Sequence, residues 1–337
     1  MKCPSCGTRW KHADGMMCGC GYQFVFDPKT EGLADGRFAA ALRRASANGT
    51  RYFTANQLYS EFARRSRTSA VGPFVAAGLA SLLLIGALLY QRWGLAAVGA
   101  LFTLLLVGVG VGCLRSRPIP KERFDQLLAR WVAAKGHPDR LITTPRLDTP
   151  PPRWAEHDMY DYGVRCILLV DRPEIVDLLV LNGLHAQEGA LVLSMDGYPQ
   201  YLTDRAEGLL AQYPDLPVYL LHDATSAGIA AAQRFHARPS LPVEPERVID
   251  LGLYPSDTRH FRRLKQLGLG SGNEQAPLDL LPYPTLQRAT HVALAAGVPI
   301  AVLAMRQAAG VGGTGGDGAT FHDSDTRGGW DDVSDFG

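Results

Sequence analysis

Two adjacent stretches without any charged residue, 70–90 and 94–114, constrain the fold of this chain more than any other feature. At about 1.5 Å per helical residue, each is long enough to cross a hydrocarbon core of about 30 Å. Only Gln91, Arg92 and Trp93 separate them, which predicts a helical hairpin with two transmembrane spans. A pair of buried helices in a soluble core is the alternative. Since neither stretch contains an ionisable residue, the hairpin is interpreted as an anchor and not as a transport path.

Basic residues on both sides of the hairpin predict its orientation. They are Arg64, Arg65 and Arg67 before the first stretch and Arg115, Arg117, Lys121 and Arg123 after the second. Only Arg92 lies in the hairpin loop. The positive-inside tendency then places both termini in the cytoplasm, with the protein integral to the inner (cytoplasmic) membrane.

Four cysteines lie within the first twenty residues, in the order C-x-x-C, eleven residues, C-x-C. Cys3, Cys6, Cys18 and Cys20 at this separation can surround one metal ion, and the pattern predicts a structural zinc site, with His12 as a spare ligand. Two disulfides are the alternative, which a cytoplasmic location disfavours. Residues 1–28 resemble the short zinc-ribbon modules of bacterial proteins. Such ribbons contact protein or nucleic acid, or only stabilise a small fold.

Three further segments are predicted around the hairpin. Residues 33–67 form a helical linker module, in which Thr54 caps the second helix; it is a helical pair or a small helix-turn-helix. Residues 118–152 contain an amphipathic helix over 121–135 and then a proline-rich linker. This helix lies along the membrane or docks on the domain that follows. Residues 308–337 are rich in glycine and aspartate, which predicts a disordered tail that solubilises the chain or binds a partner.

Residues 155–307 show short apolar runs that alternate with helical patterns, which predicts an α/β domain with a mainly parallel, Rossmann-like sheet. The runs are 164–170, 190–194, 217–221, 248–251 and 300–305. Asp171, Asp196 and Asp223 follow the first three runs, and ligands bind beyond the carboxyl ends of parallel strands. These aspartates are therefore candidate catalytic residues that share a Mg²⁺ ion. The alternative is local: Asp171 and Asp223 cap the helices that follow, and Asp196 lies in a turn.

Residues 160–270 resemble the Toprim fold of topoisomerases, primases and related nucleases. The resemblance rests on LLVDRPEIVDLLVLNG, VYLLHDATSAGIAAAQR and VIDLGLYPSDTRHFRRL, and it is closest to the A subunits of type IIB topoisomerases. In the family, a glutamate acts in acid–base chemistry and a D-x-D pair binds Mg²⁺. The resemblance implies that Asp171 occupies the position of the glutamate and that Asp223 and Thr225 occupy the two positions of the D-x-D pair. Two of these three positions depart from the family pattern, and the winged-helix domain with the nucleophilic tyrosine is missing. The resemblance is therefore to a degenerate Toprim-like domain.

A formal charge of +1 excludes a wholly basic nucleic-acid binder. Three functions are consistent with the features described above. The first is a membrane-anchored zinc-ribbon protein whose Toprim-like domain serves binding or scaffolding, with a protein partner. The second is a Mg²⁺-dependent, nuclease-like phosphoryl-transfer enzyme acting on nucleic acid or a nucleotide at the membrane. The third is a membrane-tethered sensor of a small ligand.

Overall fold

The computed structural model describes residues 2–11, 14–64, 71–89, 93–115, 118–149, 163–302 and 305. His12 and the tail over 308–337, both subjects of a sequence prediction, lie outside the described residues. The chain forms two compact units, one made of the residues up to Phe62 and from Phe124 onward, the other of Ala63–Arg123. The finer division into six segments stays a prediction.

The first unit begins with the cysteine-rich segment and a small helical layer. Helix α1 spans Pro28–Glu31, α2 spans Asp35–Ala45, strand β1 spans Phe53–Thr54 and α3 spans Ala55–Arg64. The chain turns between α2 and β1 at Asn48 and Gly49, which both have positive φ. Thr54 caps α3 as the sequence predicts, because its hydroxyl accepts from the Gln57 amide at 3.2 Å and Gln57 Oε1 accepts from the Thr54 amide at 3.3 Å.

The second unit is a pair of helices, α4 over Val71–Leu89 and α5 over Trp93–Arg115. They run antiparallel, since Phe74 near the start of α4 packs on Gly110 near the end of α5. A Cβ atom at Gly110 would lie 2.9 Å from the Phe74 ring, and Ala77 and Ala80 of α4 are buried. Small residues therefore allow the two helices to approach closely.

The transmembrane prediction for this helical pair is wrong. Among the residues that the structure describes, no helix combines the length and the apolar character that crossing a membrane requires. The predictions that depend on these spans are wrong as well. They are the membrane as a partner, the inner-membrane location with cytoplasmic termini, and the membrane-anchored function.

Helix α6 spans Lys121–Lys135, and strand β2, Leu141–Ile142, pairs in parallel with β1. The apolar face of α6 contacts the helical layer that precedes it in the chain. The sequence predicts instead that this face lies along the membrane or on the domain that follows. Phe124 lies 5.3 Å from Tyr59 and 5.4 Å from Phe62 between ring centroids, and Trp131 lies 4.9 Å from Phe38 and 6.0 Å from Phe26. This aromatic cluster is the core of the helical layer, since Phe26, Phe38 and Phe124 are fully buried.

The remainder of the first unit is an α/β fold. Its strands are β3 (Cys166–Val170), β4 (Ala190–Ser194), β5 (Val218–Leu221) and β6 (Val248–Asp250). The helices are α7 (Pro173–Leu181), α8 (Leu184–Glu188), α9 (Gln200–Gln212), α10 (Ser226–Ala237), α11 (Arg262–Gln266) and α12 (Tyr283–Ala296). All strand pairs are parallel, in the order β4-β3-β5-β6. The predicted α/β class with a parallel sheet is thus confirmed.

Nearly every residue of β3, β4 and β5 is buried, as expected for a parallel sheet covered by helices. Leu169, Leu193 and Leu220 belong to one core cluster with side chains from α9 and α10. The predicted fifth strand at 300–305 is wrong, because the described residues Ile300, Ala301 and Val302 are helical.

A buried ion pair joins the helical layer to the α/β fold. Arg263 of α11 is 1% exposed and pairs with Glu61 of α3, which also accepts from Arg44 Nε at 3.0 Å. A buried charge is tolerated only when it is paired, so Arg263 and Glu61 constrain each other's position. The cysteine-rich segment belongs to the same unit as the helical layer and the sheet.

Candidate metal centre and the carboxyl edge of the sheet

The four N-terminal cysteines converge on one point. Their sulfur atoms all lie within 4.8 Å of one another, and among the described residues this is the one group of histidine, cysteine and acidic side chains close enough to hold a metal ion. Cys3 Sγ lies 3.7 Å from Cys20 Sγ, and Cys6 Sγ lies 3.7 Å from Cys18 Sγ. A disulfide requires about 2.05 Å, and all four cysteines are free. The metal-binding prediction is confirmed in this general form.

Two tight turns present the cysteines, and they differ in length by one residue. In the first, the Cys3 amide donates to the Thr8 carbonyl and the Gly7 amide to the Cys3 carbonyl, both at 3.0 Å. In the second, the Cys18 amide donates to the Tyr22 carbonyl and the Gly21 amide to the Cys18 carbonyl, both at 2.8 Å. The hydrogen bond that closes the first turn joins Cys3 to Thr8, and the one that closes the second turn joins Cys18 to Tyr22. The second turn is therefore one residue shorter, which explains why C-x-C replaces C-x-x-C. Gly7 and Gly21 occupy equivalent places and both have positive φ, which glycine adopts without strain.

The surroundings of Cys6 favour a thiolate. The Thr8 hydroxyl lies 3.4 Å from Cys6 Sγ, and its hydrogen bond, with that of the Thr8 backbone, lowers the pKa of Cys6 to about 6. A thiolate is the form that binds metals. Cys3 and Cys18 are buried whereas Cys6 and Cys20 are exposed, so the cluster lies at the surface of the module.

Asp35 at the start of α2 holds this four-cysteine module, residues 2–26, on the helical layer. Its carboxylate, 1% exposed, accepts from the Tyr22 hydroxyl and from the amides of Val25 and Phe26, each at 2.9 Å. Helix α6 adds a second contact, because Lys135 Nζ lies 3.7 Å from the centroid of the Tyr22 ring. The position of the module in the first unit is therefore set by specific polar contacts.

The carboxyl edge of the sheet holds the other candidate residues. In the order β4-β3-β5-β6, the chain moves to one side of β3 to form β4 and to the other side to form β5, so β3 and β5 flank the switch point where ligands bind in such sheets. Asp171 follows β3, Asp223 follows β5, and the Asp223 amide donates to Asp171 Oδ2 at 2.9 Å. Asp196 follows the edge strand β4 and is exposed in a turn, where the Gly197 amide donates to the Ser194 carbonyl. The structure thus brings two of the three predicted aspartates together and leaves Asp196 apart, and their catalytic role stays a prediction.

Neither Asp171 nor Asp223 caps a helix, contrary to the local alternative. Helix α7 begins after Arg172 without a side-chain cap, and α10 is capped by Thr225, whose hydroxyl accepts from the Gly228 amide at 3.0 Å. Gly228 is required there, since a Cβ would lie 2.5 Å from Asp171 Oδ2 and 2.7 Å from the Asp223 carbonyl.

Arg172 and Asp279, which the sequence analysis missed, complete an edge cluster with Asp171 and Asp223. Arg172 Nε lies 2.8 Å from Asp223 Oδ2, and Arg172 Nη2 lies 2.7 Å from Asp279 Oδ1. Asn56 of α3 also donates to Asp279 Oδ1 at 3.0 Å. Arg172 adjoins Asp171 and could have been noticed, whereas no local signal marks Asp279.

Burial dominates the electrostatics of this edge cluster. It raises the pKa of Asp223 to about 7, with the Asp171 carboxylate adding to the rise and the Arg172 guanidinium opposing it. Burial also raises the pKa of Asp171, against hydrogen bonding from the Asp223 amide and the charge of Arg172. One guanidinium therefore does not fully offset the cost of burying the carboxylates around it.

His222, fully buried at the end of β5, forms a second polar group with Asp250 and Tyr254. His222 Nδ1 lies 2.9 Å from the Asp223 carbonyl and Nε2 lies 3.3 Å from Asp250 Oδ1, so both ring nitrogens face acceptors. Burial lowers the pKa of His222, but the contacts with Asp250 and the Asp223 carbonyl outweigh it and raise the pKa overall. Tyr254 donates to Asp250 Oδ2 at 2.6 Å. Asp250 also ends a strand, so the rule that selected Asp171 applies to it too.

A segment of the chain itself covers the switch point. Ala276 exchanges two backbone hydrogen bonds of 3.0 Å with Ala224, and the Leu278 amide donates to Asp223 Oδ1 at 2.6 Å. Leu278 is fully buried and Leu280 is 4% exposed, so residues 275–280, here called the cover segment, are anchored in the core. Asp223 consequently has protein partners at both carboxylate oxygens.

Comparison of the chain with protein-family models, with curated proteins and with solved structures gave no match. The Toprim resemblance stays a prediction.

Proposed function

We propose that this is a zinc-binding protein in which the four-cysteine module holds one structural Zn²⁺ ion. The sulfur separations support this proposal most directly. Zn–S bonds of about 2.3 Å in a tetrahedron place the sulfur atoms about 3.8 Å apart. The two contacts between the turns, Cys3–Cys20 and Cys6–Cys18, are both 3.7 Å. Four sulfur donors complete the coordination sphere and leave no open position for a substrate, which favours a structural role over a catalytic one.

The small core of the module explains why it needs a metal. Its buried cluster consists of Cys3, Cys18 and Phe24, with three partly buried side chains, Trp10, Met16 and Tyr22, packed around it. A core of this size cannot offset the conformational entropy of about 25 residues, and small domains of this kind use disulfides or metals instead. Two of the three buried residues are themselves metal ligands. We infer that zinc binding and folding of the module are one process, and that the folded module is held by Asp35.

Metal content of the full chain, purified without a histidine tag, tests the proposal. We expect about one Zn²⁺ per chain by mass spectrometry, and little after Cys6→Ser or Cys18→Ser. Cys166→Ala is the matched control, because Cys166 is a buried cysteine of β3 outside the cluster and its loss leaves the metal content unchanged. Substituted Co²⁺ is expected to show the visible absorption of a tetrahedral tetrathiolate site.

Hydrogen exchange then separates a structural role from simple binding. Removal of zinc by a chelator is expected to abolish amide protection at Cys3, Cys18 and Phe24, while the amides of β3 and β5 stay protected. Protection in the module that survives complete removal of the metal would contradict the structural role, and wild-type protein without a bound metal would contradict the zinc site itself.

A further inference from the structure

One guanidinium lies among three carboxylates at the switch point between β3 and β5. Arg172 is 2.8 Å from Asp223 and 2.7 Å from Asp279, and Asp171 accepts from the Asp223 amide beside it. The Asp223 and Asp279 side chains are 3% and 2% exposed, so water does not solvate them. Buried carboxylates of this kind require a cation close by.

One carboxylate oxygen of the edge cluster, Asp171 Oδ1, has no hydrogen-bond donor among the described residues. This oxygen is also inaccessible to solvent, whereas Oδ2 of the same group accepts from the Asp223 amide. Such buried, unsatisfied oxygens are rare in native structures and mark a site short of positive charge or donors. The edge cluster therefore has more anionic oxygens than Arg172 satisfies.

Backbone geometry supports a fixed position for Arg172. It immediately precedes Pro173, the first residue of α7, and its φ of −133° and ψ of 137° are the extended conformation that a following proline favours. Its side chain is 30% exposed, whereas both of its carboxylate partners are buried below it. Arg172 is therefore the more exposed partner in both ion pairs.

We propose that Arg172 is the resident cation of the edge cluster and takes the place of a divalent metal ion. Asp171, Asp223 and Asp279 offer the hard oxygen donors that Mg²⁺, Ca²⁺ and Mn²⁺ prefer, at the edge where parallel sheets place such ions. With the guanidinium in place, these carboxylates do not converge as closely as the four sulfur atoms of the module do. Arg172 is thus a positioning residue that keeps the edge free of metal. Its removal opens a cation site.

Mn²⁺ titration of the full, zinc-loaded chain tests this assignment, with free Mn²⁺ measured by its paramagnetic resonance signal. Zinc loading excludes Mn²⁺ from the cysteines. We expect no saturable site in wild type or in Arg172→Lys, which keeps a cation. Arg172→Gln is expected to have one site per chain, which binds Mn²⁺ at least about tenfold more tightly than the weak, non-saturating binding of the other two proteins. Saturable binding by wild type that Asp223→Asn abolishes would overturn the proposal.

Arg263→Gln is the matched control. Arg263 is also a buried arginine paired with a carboxylate, but its loss leaves Glu61 paired with Arg44 and creates no group of acids. We expect no Mn²⁺ site in this variant, and none in Arg172→Gln/Asp279→Asn. Binding by Arg263→Gln equal to that of Arg172→Gln would overturn the proposal.

Stability gives an independent readout if Arg172→Gln does not fold in metal-free buffer. Refolding with millimolar Mn²⁺ or Ca²⁺ is then expected to restore the folded state, and either ion is expected to raise the melting temperature of a folded Arg172→Gln but not of wild type. A variant that neither binds Mn²⁺ nor regains its fold with a divalent ion would show that the guanidinium acts through its shape and hydrogen bonds, and would overturn the resident-cation role.

Discussion

The four-cysteine module and the edge cluster bring acidic groups together in opposite ways. In the module, four sulfur atoms lie within 4.8 Å of one another, close enough to hold one metal ion. At the edge, the guanidinium of Arg172 lies between buried carboxylates. The module has three buried residues in its core, whereas the sheet has a core of more than a dozen. A small fold gains stability from an external ion, while a fold with a large core can hold its charges with its own residues.

The pH dependence of stability tests the edge half of this comparison and has the largest expected effect. Because the pKa of Asp223 is raised to about 7 in the folded chain, an unfolded chain loses this proton near pH 4 and the folded chain loses it near pH 7. Stability contributed by the proton is therefore lost as pH rises through this window. We expect the free energy of unfolding of wild type, relative to Asp223→Asn, to fall by on the order of 3 kcal/mol between pH 4 and pH 7.

Urea unfolding of both proteins at several pH values measures this difference. Arg172→Gln is expected to extend the fall to higher pH, because the guanidinium opposes the rise in pKa. A difference that is constant with pH would mean that Arg172 holds Asp223 ionised throughout.

Removing the anchor of the module has an intermediate effect. Asp35→Ala leaves the Tyr22 hydroxyl and the amides of Val25 and Phe26 without their buried acceptor. We expect a loss of about 2–3 kcal/mol and faster hydrogen exchange at Val25 and Phe26, with zinc still bound by the four cysteines. Asp215→Ala, at an exposed aspartate, is the control and should change neither quantity. Loss of zinc from Asp35→Ala would show that anchoring and metal binding are inseparable.

Two glycine substitutions test the packing of the edge cluster and have the smallest effects. Gly228→Ala places a methyl group 2.5 Å from Asp171 Oδ2, and we expect it to cost about 1–3 kcal/mol by separating Asp171 from the Asp223 amide. Gly208→Ala, in the middle of α9 with open space around it, is expected to stabilise by about 0.5–1 kcal/mol. Equal effects in thermal unfolding would show that the cluster has room to relax.

The sequence predicted those features that local patterns encode. Four strands were found because each is a short apolar run between helical patterns, and the cap at Thr54 because this residue directly precedes the helical pattern that carries Leu58 and Phe62. The run at 300–305 was assigned wrongly, since a short apolar run does not distinguish a strand from a buried helix. The cysteine site was found because its ligands lie close together in the chain.

The edge cluster was predicted only in part because its members are far apart in sequence. Arg172 and Asp279 are separated by 107 residues, and they meet because the cover segment crosses the edge of the sheet. Asp196 was included because it follows a strand, but the order of the strands, which the sequence does not state, places it away from the switch point. The transmembrane prediction followed from the absence of charge in 70–90 and 94–114. The described helices do not support this prediction.

The aromatic contact between Phe62 and Phe124 has a consequence for how the two units are arranged along the polypeptide chain. The chain leaves the first unit at Phe62 and returns at Phe124, and the two rings are 5.4 Å apart between centroids. The second unit is therefore inserted in the sequence between two residues of the first unit whose rings are in contact. A link of about four residues is long enough to join Phe62 to Phe124, so we expect a chain in which such a link replaces residues 63–123 to keep the four-cysteine module and the sheet in one folded polypeptide.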